Sequence, residues 1–274
     1  MDKSEKISWF EQFKIACLKP SQYKRLLELT KGKVILFLAV ITLITTILGY
    51  GMDVAGFNIS VGGWKNFIEN RLPAFELKDG KLSVDREMDF EISGVHFMAD
   101  TSKDKVNISS FNNKYTMEMA FAKDEMVVKN TAVGNMLNKV SFAQMKNVVF
   151  NNKAMTAMIP MIHVFVVIMF FSQWIVNIIS YLTIAIFISM LAYFNQKTRL
   201  DRKNRESVSF GKIFKLSIYA RVIFQLAETI GVTAGVSFFS GMLWMFISYF
   251  GSYELLLAGF MRSEDRMKPE DMMK

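Results

Sequence analysis

The longest apolar segment of the chain runs from residue 154 to residue 194, and none of its 41 residues is Lys, Arg, Asp or Glu. A helical bilayer crossing requires about 20 apolar residues, so the segment exceeds one minimal crossing. Pro160 lies near its start and separates a lead-in helix from the spanning part. The segment is therefore predicted to be a long second membrane helix with an outer extension.

Two further regions are apolar enough for membrane helices. Residues 34–52 are rich in Val, Ile and Leu, and this core is longer than that of a cleavable signal peptide, so it is predicted to be a retained first membrane helix. Residues 213–260 provide length for a third and a fourth helix, which reverse near Gly231 to Gly241. The pattern predicts four transmembrane helices.

The position of the charges predicts the orientation of these helices. Residues 1–33 contain eight Lys or Arg against four acids, and residues 195–215 contain seven against two. Basic residues beside apolar segments favour the cytoplasmic side, so both regions are expected there. An odd number of crossings must then separate them from residues 53–153, and residues 154–194 have room for one. A cell-membrane protein with several crossings and both termini in the cytoplasm follows, with residues 261–274 as a cytoplasmic tail.

Residues 53–153 have as many acids as bases and are predicted to form an α+β domain outside the cytoplasm. Asp79-Gly80 supplies the turn of a hairpin, because alternating apolar residues flank it on both sides. Four to six strands are expected, with candidates at 88–92, 95–98, 115–121 and 126–128. Residues 63–71 and 141–150 look helical. The predicted fold class is thus a membrane α-helical protein with an inserted α+β extracytoplasmic domain.

The amino-terminal segment, residues 1–33, contains an amphipathic pattern in residues 7–18, where Phe10, Ile15 and Leu18 fall roughly on one side. Such a helix lies at the membrane interface or packs on the helix bundle, and the pattern does not decide between the two. The single cysteine, Cys17, excludes an intrachain disulfide.

The predicted third membrane helix carries unusual polar residues. Arg221, Gln225 and Glu228 follow the spacing i, i+4, i+7, so they share one helix face. Charges in hydrocarbon are costly and normally face a partner or a wet cavity, which makes these residues binding or coupling candidates. Counting residues along the antiparallel fourth helix predicts an Arg221–Glu254 pair, and His163 is expected near Glu228. The alternative is that these pairs only fix helix packing.

The remaining chemistry is sparse. His96 and His163 are the only histidines, and together with Cys17 they make no zinc set, so neither a metal nor a cofactor is predicted. The sequence contains no P-loop, dinucleotide or hydrolase motif, and no catalytic residues are assigned. The basic loop at 195–212 is expected to face anionic lipid rather than nucleic acid, because its charge flanks an apolar segment. Its basic residues are Lys197, Arg199, Arg202, Lys203 and Arg205.

Residues 72–82, Leu-Pro-Ala-Phe-Glu-Leu-Lys-Asp-Gly-Lys-Leu, carry a resemblance to a known family. The segment resembles the pattern Leu-Pro-x-Phe-x-φ-x-x-Gly-x-Leu, with φ apolar, of a family of uncharacterised multi-pass membrane proteins of Gram-positive bacteria, often labelled maltodextrin-utilisation proteins. Asp100-Thr101, the amphipathic opening and the loop at 195–225 are similar too. The resemblance implies a Gram-positive cell membrane and genetic proximity to sugar uptake, and it transfers no active site.

Three functions follow as hypotheses. The first is a non-enzymatic accessory or sensor protein that contacts membrane lipids and a protein partner or a second copy of itself. The second is a component of a transporter that uses the Arg221, Gln225 and Glu228 face, and four helices would then need oligomerisation or a partner. A hydrolase that uses Glu228 and His163 is the weakest, because neither a nucleophile nor a metal set accompanies them.

Overall fold

The computed structural model describes residues 7–92, 94–111, 114–115, 117–131, 136–200 and 208–261, with the side chains of 196–200 and 260–261 left aside. The chain divides into two compact units. One combines Met1–Met52 with Met169–Lys274, and the other is Asp53–Ile168. They are called the helical unit and the β unit below.

The helical unit begins with α1 (Trp9–Leu18), a 3₁₀ turn (Pro20–Gln22) and α2 (Tyr23–Leu26). Ser8 caps α1, since its hydroxyl accepts from the Glu11 N–H at 3.2 Å. The predicted amphipathic helix is confirmed, but its buried face differs from the expected one. Ile15 is fully buried, whereas Phe10 and Leu18 are 70% and 72% exposed. One face of α1 therefore packs into the unit and the other presents large apolar side chains outward.

The first long helix is α3 (Lys31–Thr46), which continues through a π-helical turn (Ile47–Gly51) into α4 (Met52–Val61). Thr42 and Thr46 are buried in it, and their hydroxyls donate to carbonyls one turn earlier, Leu38 at 2.9 Å and Thr42 at 2.8 Å. These bonds satisfy polar groups inside an apolar helix. The helix is 31 residues long, which exceeds the predicted 34–52.

The second long helix is α7 (Ile159–Leu200), a single unbroken helix of 42 residues. It follows the short α6 (Asn152–Ala157), and Met158 separates the two. Pro160 lies in the first turn of α7, where its missing N–H is not needed. The prediction of one long helix rather than two is confirmed, but the break before it was predicted at Pro160 and lies at Met158 instead.

The prediction of four transmembrane helices is wrong. In the described part of the chain, two helices are long and apolar enough to cross a membrane, Lys31–Val61 and Ile159–Asn195, with mean hydropathies of 2.3 and 2.2. The predicted third helix is divided at Arg221 into α8 (Phe210–Ala220) and α9 (Val222–Thr233), each shorter than one crossing. A 3₁₀ turn (Ser237–Ser240) then leads to α10 (Met242–Met261).

The middle of α10 carries several polar residues, and α10 is not among the described helices that are long and apolar enough to cross a membrane. Ser248, Tyr249, Ser252, Tyr253 and Glu254 occupy five of the seven positions from 248 to 254. The number of membrane helices predicted from the sequence was therefore too high, because it relied on segment length. The 20 residues of α10 would suffice for a crossing only if nearly all of them were apolar.

The β unit contains a short helix α5 (Trp64–Asn66), a π-helical turn (Phe67–Arg71) and eight described strands. The strands are β1 (Phe75–Lys78), β2 (Lys81–Val84), β3 (Met88–Ile92), β4 (Val95–Ala99), β5 (Met117–Phe121), β6 (Glu125–Asn130), β7 (Met136–Ser141) and β8 (Phe150–Asn151). They form a three-stranded sheet in the order β2-β1-β8 and a five-stranded sheet in the order β3-β4-β5-β6-β7.

The β1–β2 hairpin confirms the Asp-Gly prediction. Asp79 and Gly80 have φ values of 53° and 75°, and Lys78 pairs with Lys81 across the turn. The larger sheet is mixed, because β4 and β5 run parallel while its other neighbours are antiparallel. The predicted strands at 88–92, 95–98 and 115–121 correspond to β3, β4 and β5.

Two predictions for the β unit are wrong. The described residues form eight strands where four to six were expected. The segment 141–150, predicted as helical, holds only a 3₁₀ turn (Phe142–Met145) between the end of β7 and the start of β8. Strand β8 pairs with β1, which is distant in sequence, so no local signal marks it. Strand β7 pairs with the preceding strand β6, but its residues are almost all exposed, so it lacks the alternation of buried apolar residues that would mark it.

Candidate functional site

Arg221 is the largest fully buried side chain of the helical unit, with 2% of its surface exposed. The backbone N–H of Arg221 donates to the Ser217 carbonyl at 3.2 Å, and the backbone carbonyl of Arg221 accepts from the Gln225 N–H at 3.0 Å. The backbone therefore stays close to helical where α8 ends and α9 begins. A buried guanidinium is expensive unless it is paired and hydrogen-bonded, so its partners define the site.

Three side chains accept from the Arg221 guanidinium. Nη2 donates to Glu228 Oε2 at 3.0 Å and to Gln225 Oε1 at 3.3 Å, and Nη1 donates to Ser248 Oγ of α10. The ring of Tyr249 lies 5.6 Å from Arg221 Cζ, within cation–π range. The structure thus brings together the three residues that the helical spacing grouped, and it adds two residues of α10.

The predicted Arg221–Glu254 pair is not formed among the described residues. Glu254 lies on an exposed face of α10. Glu228, seven residues from Arg221 on the same side of α9, takes the role assigned to Glu254. Counting residues predicts how far along α10 Glu254 lies, but it does not predict the direction in which the side chain points around the helix axis. Ser248, not Glu254, faces the guanidinium.

The other predicted residues lie apart from this cluster. His163 belongs to the β unit, and its side chain is exposed. Lys197 and Arg199 lie in the last turns of α7, and nothing is described of their side chains. Arg202, Lys203 and Arg205 lie outside the described residues. The structure therefore leaves the Arg221, Gln225 and Glu228 group as the part of the predicted site that it brings together.

Hydrogen bonds join α8 to the amino-terminal segments of the helical unit. Lys215 Nζ donates to the carbonyls of Leu27 and Leu29 at 2.8 and 2.6 Å, which satisfies acceptors beyond the end of α2. The Tyr219 hydroxyl donates to Gln12 Oε1 at 2.9 Å, where both residues are buried. Lys215 therefore stabilises the amino-terminal helices.

A cavity of about 340 Å³ opens beside Arg221 between α9, the 3₁₀ turn and α10. Glu228 lines it with a side chain that is 36% exposed, so its carboxylate reaches the open space. Trp244, Ser248 and Tyr249 of α10 line it as well. Sequence reasoning missed these three residues, because their positions on a largely apolar helix look like ordinary packing.

The β unit contains a second buried charge cluster, on β4, β5 and β6. His96, Glu118 and Lys129 are neighbours across these strands. His96 Nδ1 and Lys129 Nζ each lie 3.6 Å from a carboxylate oxygen of Glu118, whose side chain is fully buried. His96 Nε2 lies 2.7 Å from Asp89 Oδ1. Sequence reasoning missed this cluster, and the alternation of β5 is the signal that would have placed Glu118 on one face.

Glu125 of β6 is a further buried carboxylate. Burial raises its pKa, but Lys139 Nζ at 2.6 Å and the Val106 N–H at 3.1 Å stabilise the charged form, and the pKa is lowered overall. The carboxylate is therefore ionised at neutral pH and ties the loop before β5 to β6 and β7.

The two clusters have no arrangement typical of a metal centre. Within the described ranges, no three His, Cys, Asp or Glu residues stand close enough to hold a metal ion. The cluster around Arg221 contains a cation, a carboxylate, an amide and a hydroxyl, which can bind polar groups or couple helix positions.

A family model described as "Protein of unknown function (DUF1189)" matches residues 10–253. The chain belongs to this family. Comparison with curated proteins returned no match, and comparison with solved structures returned none either.

Proposed function

We propose that this DUF1189 family member is a non-enzymatic integral membrane protein of the bacterial cell envelope, acting as an accessory or sensor protein beside a sugar-uptake system. One observation carries the membrane part. In the most apolar 18-residue windows of Lys31–Val61 and Ile159–Asn195, only 39% and 28% of the surface is buried. A core helix of a water-soluble protein would bury most of its apolar surface, so these helices need another apolar medium.

Large exposed side chains support this proposal. On α7 they include Val164, Phe165, Phe171, Ile175 and Ile179, each more than half exposed. They follow one another along many turns, and a contiguous apolar surface of this size is typical of contact with lipid.

Two crossings place the β unit on one side of the membrane and both termini on the other. The basic segments 1–33 and 195–215 then lie on the same side, which the positive-inside rule assigns to the cytoplasm. The part of the β unit between the two helices, residues 62–158, lies outside under this arrangement and provides a surface for an envelope ligand or partner. The Gram-positive origin and the maltodextrin connection rest on the resemblance of residues 72–82.

Purification of the intact chain from native membranes in mild detergent tests the accessory function. A permease or a kinase that co-purifies with the chain, and is lost when exposed residues of the β unit are changed, is the expected result. The matched control changes an exposed residue of the helical unit, such as Ser209→Ala. A chain that purifies alone, with neither partner nor second copy, contradicts the proposal.

The second candidate function is a transporter component that uses the polar face of Arg221, Gln225 and Glu228. The cavity of about 340 Å³ beside Arg221 and Glu228 favours it. A homo-oligomer whose solute uptake falls on Glu228→Gln, while the amount of protein in the membrane stays the same, would support this function over the accessory one. Unchanged uptake would exclude it.

A further inference from the structure

The β unit contains an apolar cavity of about 250 Å³ between its two sheets. Residues of β1, β2 and β8 line it on the side of the three-stranded sheet, and residues of β3, β4 and β5 line it on the side of the five-stranded sheet. All of the lining side chains belong to Phe, Leu, Val, Met or Ala, and no polar surface reaches the cavity. The cavity therefore offers a ligand neither a hydrogen-bond donor nor an acceptor.

Water is a poor occupant of this space. A buried water molecule normally makes about three hydrogen bonds, and this lining provides none. An engineered cavity of about 150 Å³ with a comparable apolar lining stays dry and binds benzene. By the same proportion of volume to carbon atoms, a cavity of about 250 Å³ has room for about ten carbons. The lining and the volume therefore select part of a hydrocarbon chain.

The cavity is continuous with a cluster of apolar residues at the ends of the two long helices. Phe67, Leu72 and Met155 line the cavity and also belong to that cluster. The cluster includes Phe57 of α4, whose ring centroid lies 5.9 Å from that of Phe67, and Ile159 of α7. Phe57 and Ile159 lie in the two segments that are apolar enough to cross a membrane. Apolar side chains thus connect the ends of both helices with the cavity.

We propose that this cavity binds the end of one acyl chain of a membrane lipid. The proposal rests on the membrane part of the proposed function, because the chain comes from the bilayer that the two helices cross. Transfer of a chain from the bilayer to the cavity exchanges one apolar medium for another. Contact with the lining, rather than removal from water, therefore holds the chain in place.

Photocrosslinking of the full chain in lipid nanodiscs tests the proposal. The probe is a phosphatidylglycerol whose second acyl chain carries a diazirine at its methyl end, added in a small amount to unlabelled phosphatidylglycerol. After irradiation and digestion, mass spectrometry identifies the residues that carry lipid. We expect lipid on Phe171 of α7, whose exposed side chain supports the membrane part of the proposed function, and on Phe150 and Met155 of the cavity.

Ala99→Leu is the decisive variant, because it fills part of the cavity. Ala99 and Phe97 lie on the same face of β4, which is the face that lines the cavity. We expect lipid on Phe150 and Met155 to fall about fivefold or more, since the chain and the added side chain cannot occupy the same volume. Ala74→Leu is the matched control, because it adds the same atoms at an exposed position that does not line the cavity. The control should label as the parent does.

Val84→Phe fills the cavity from β2 and takes the place of Ala99→Leu if thermal unfolding shows that Ala99→Leu does not fold. Lipid on Phe171 without lipid on the cavity residues overturns the proposal and leaves the membrane part of the proposed function in place. Lipid on neither set overturns both. Cavity labelling that the filling variant leaves unchanged overturns the proposal as well.

A second probe distinguishes the source of the chain. The free fatty acid with the same diazirine is supplied from water to nanodiscs of unlabelled phosphatidylglycerol. Cavity labelling by this acid, together with none by the labelled phospholipid, would assign the cavity to a water-borne amphiphile and overturn the bilayer as the source.

Discussion

Buried charges are the residues that sequence patterns assign least well. Glu118 follows the alternation of β5, in which Met117, Met119 and Phe121 share the opposite face. An alternating strand suggests that the apolar face is buried and the polar face is wet. In the structure the face with Glu118 and Ala120 is the more buried, because the Lys129 ammonium compensates the carboxylate and His96 packs beside it on the neighbouring strand.

Removal of the Glu118 carboxylate should destabilise the β unit. Glu118→Ala leaves Lys129, whose side chain is 12% exposed, beside a cavity without its counter-charge. Breaking a buried pair in this way costs about 3–5 kcal/mol. Thermal unfolding of the intact chain, followed by circular dichroism, should show a lower transition temperature. Glu91→Ala, an exposed residue opposite His96, serves as the control, and equal losses in both variants would contradict a stabilising role for Glu118.

Glu125 predicts how stability depends on pH. Because its pKa is lowered in the folded chain, its contribution is present above the ordinary value of 4.5 and is lost as the pH falls through the lowered folded pKa. Glu125→Gln should therefore lower the unfolding temperature at pH 7, and the gap to the parent should narrow below pH 4.5. A gap that stays constant down to pH 3 would contradict the contribution of the charged form.

At the scale of elements, close helix packing depends on single glycines. A Cβ at Gly259 of α10 would lie 2.6 Å from Tyr23 Cδ2 and 2.8 Å from the Pro20 carbonyl oxygen. Tyr23 is fully buried and its hydroxyl donates to the Ala16 carbonyl at 2.9 Å, so it has little room to move. Gly259 thus permits the contact between α10 and the turn that follows α1.

Gly259→Ala should destabilise the helical unit, and Gly211→Ala should not. Overpacking typically costs about 1–3 kcal/mol, which corresponds to a drop of several degrees in unfolding temperature. A Cβ at Gly211 of α8 meets no described atom within 4 Å, and Ala is the better helix former by about 1 kcal/mol. Differential scanning fluorimetry of both variants in detergent measures the shifts. An unfolding temperature that falls for Gly211→Ala and does not fall for Gly259→Ala would contradict the packing described for α10.

The elements that sequence reasoning identified correctly are those defined by local signals. The Asp79-Gly80 hairpin, the helix α1 and the single long helix α7 each depend on residues within a few turns of one another. Strand β8 was missed because its partner β1 lies far away in the chain, and strand β7 was missed because its residues are almost all exposed and show no buried alternation. The same reason explains why only part of the site was predicted. Arg221, Gln225 and Glu228 share one helix and were identified from their spacing, whereas Ser248 and Trp244 come from another helix and were missed.

At the scale of the whole molecule, the number of crossings decides the topology. Four crossings and two crossings both return the carboxyl terminus to the side of the amino terminus, so the charge distribution does not separate them. The polar residues of α8 to α10 separate them, because among the described helices only Lys31–Val61 and Ile159–Asn195 are long and apolar enough. The account of function depends on these two helices crossing a membrane and on the β unit lying beyond them.

Cysteine labelling in intact cells tests this arrangement most directly. Cys17 is the only cysteine of the sequence. Burial raises the pKa of its thiol to about 11, which lowers the reactivity of the thiol at neutral pH. The substitution Cys17→Ser removes this thiol from all variants. Ser83→Cys then reports on an exposed position of the β unit, and Ser209→Cys on an exposed position of the helical unit.

Each single-cysteine chain is exposed to a membrane-impermeant maleimide before and after the cells are permeabilised. The two-crossing account predicts that Ser83→Cys is labelled in intact cells and that Ser209→Cys is labelled only after permeabilisation. Equal labelling of both positions in intact cells, or labelling of Ser209→Cys alone, would contradict it.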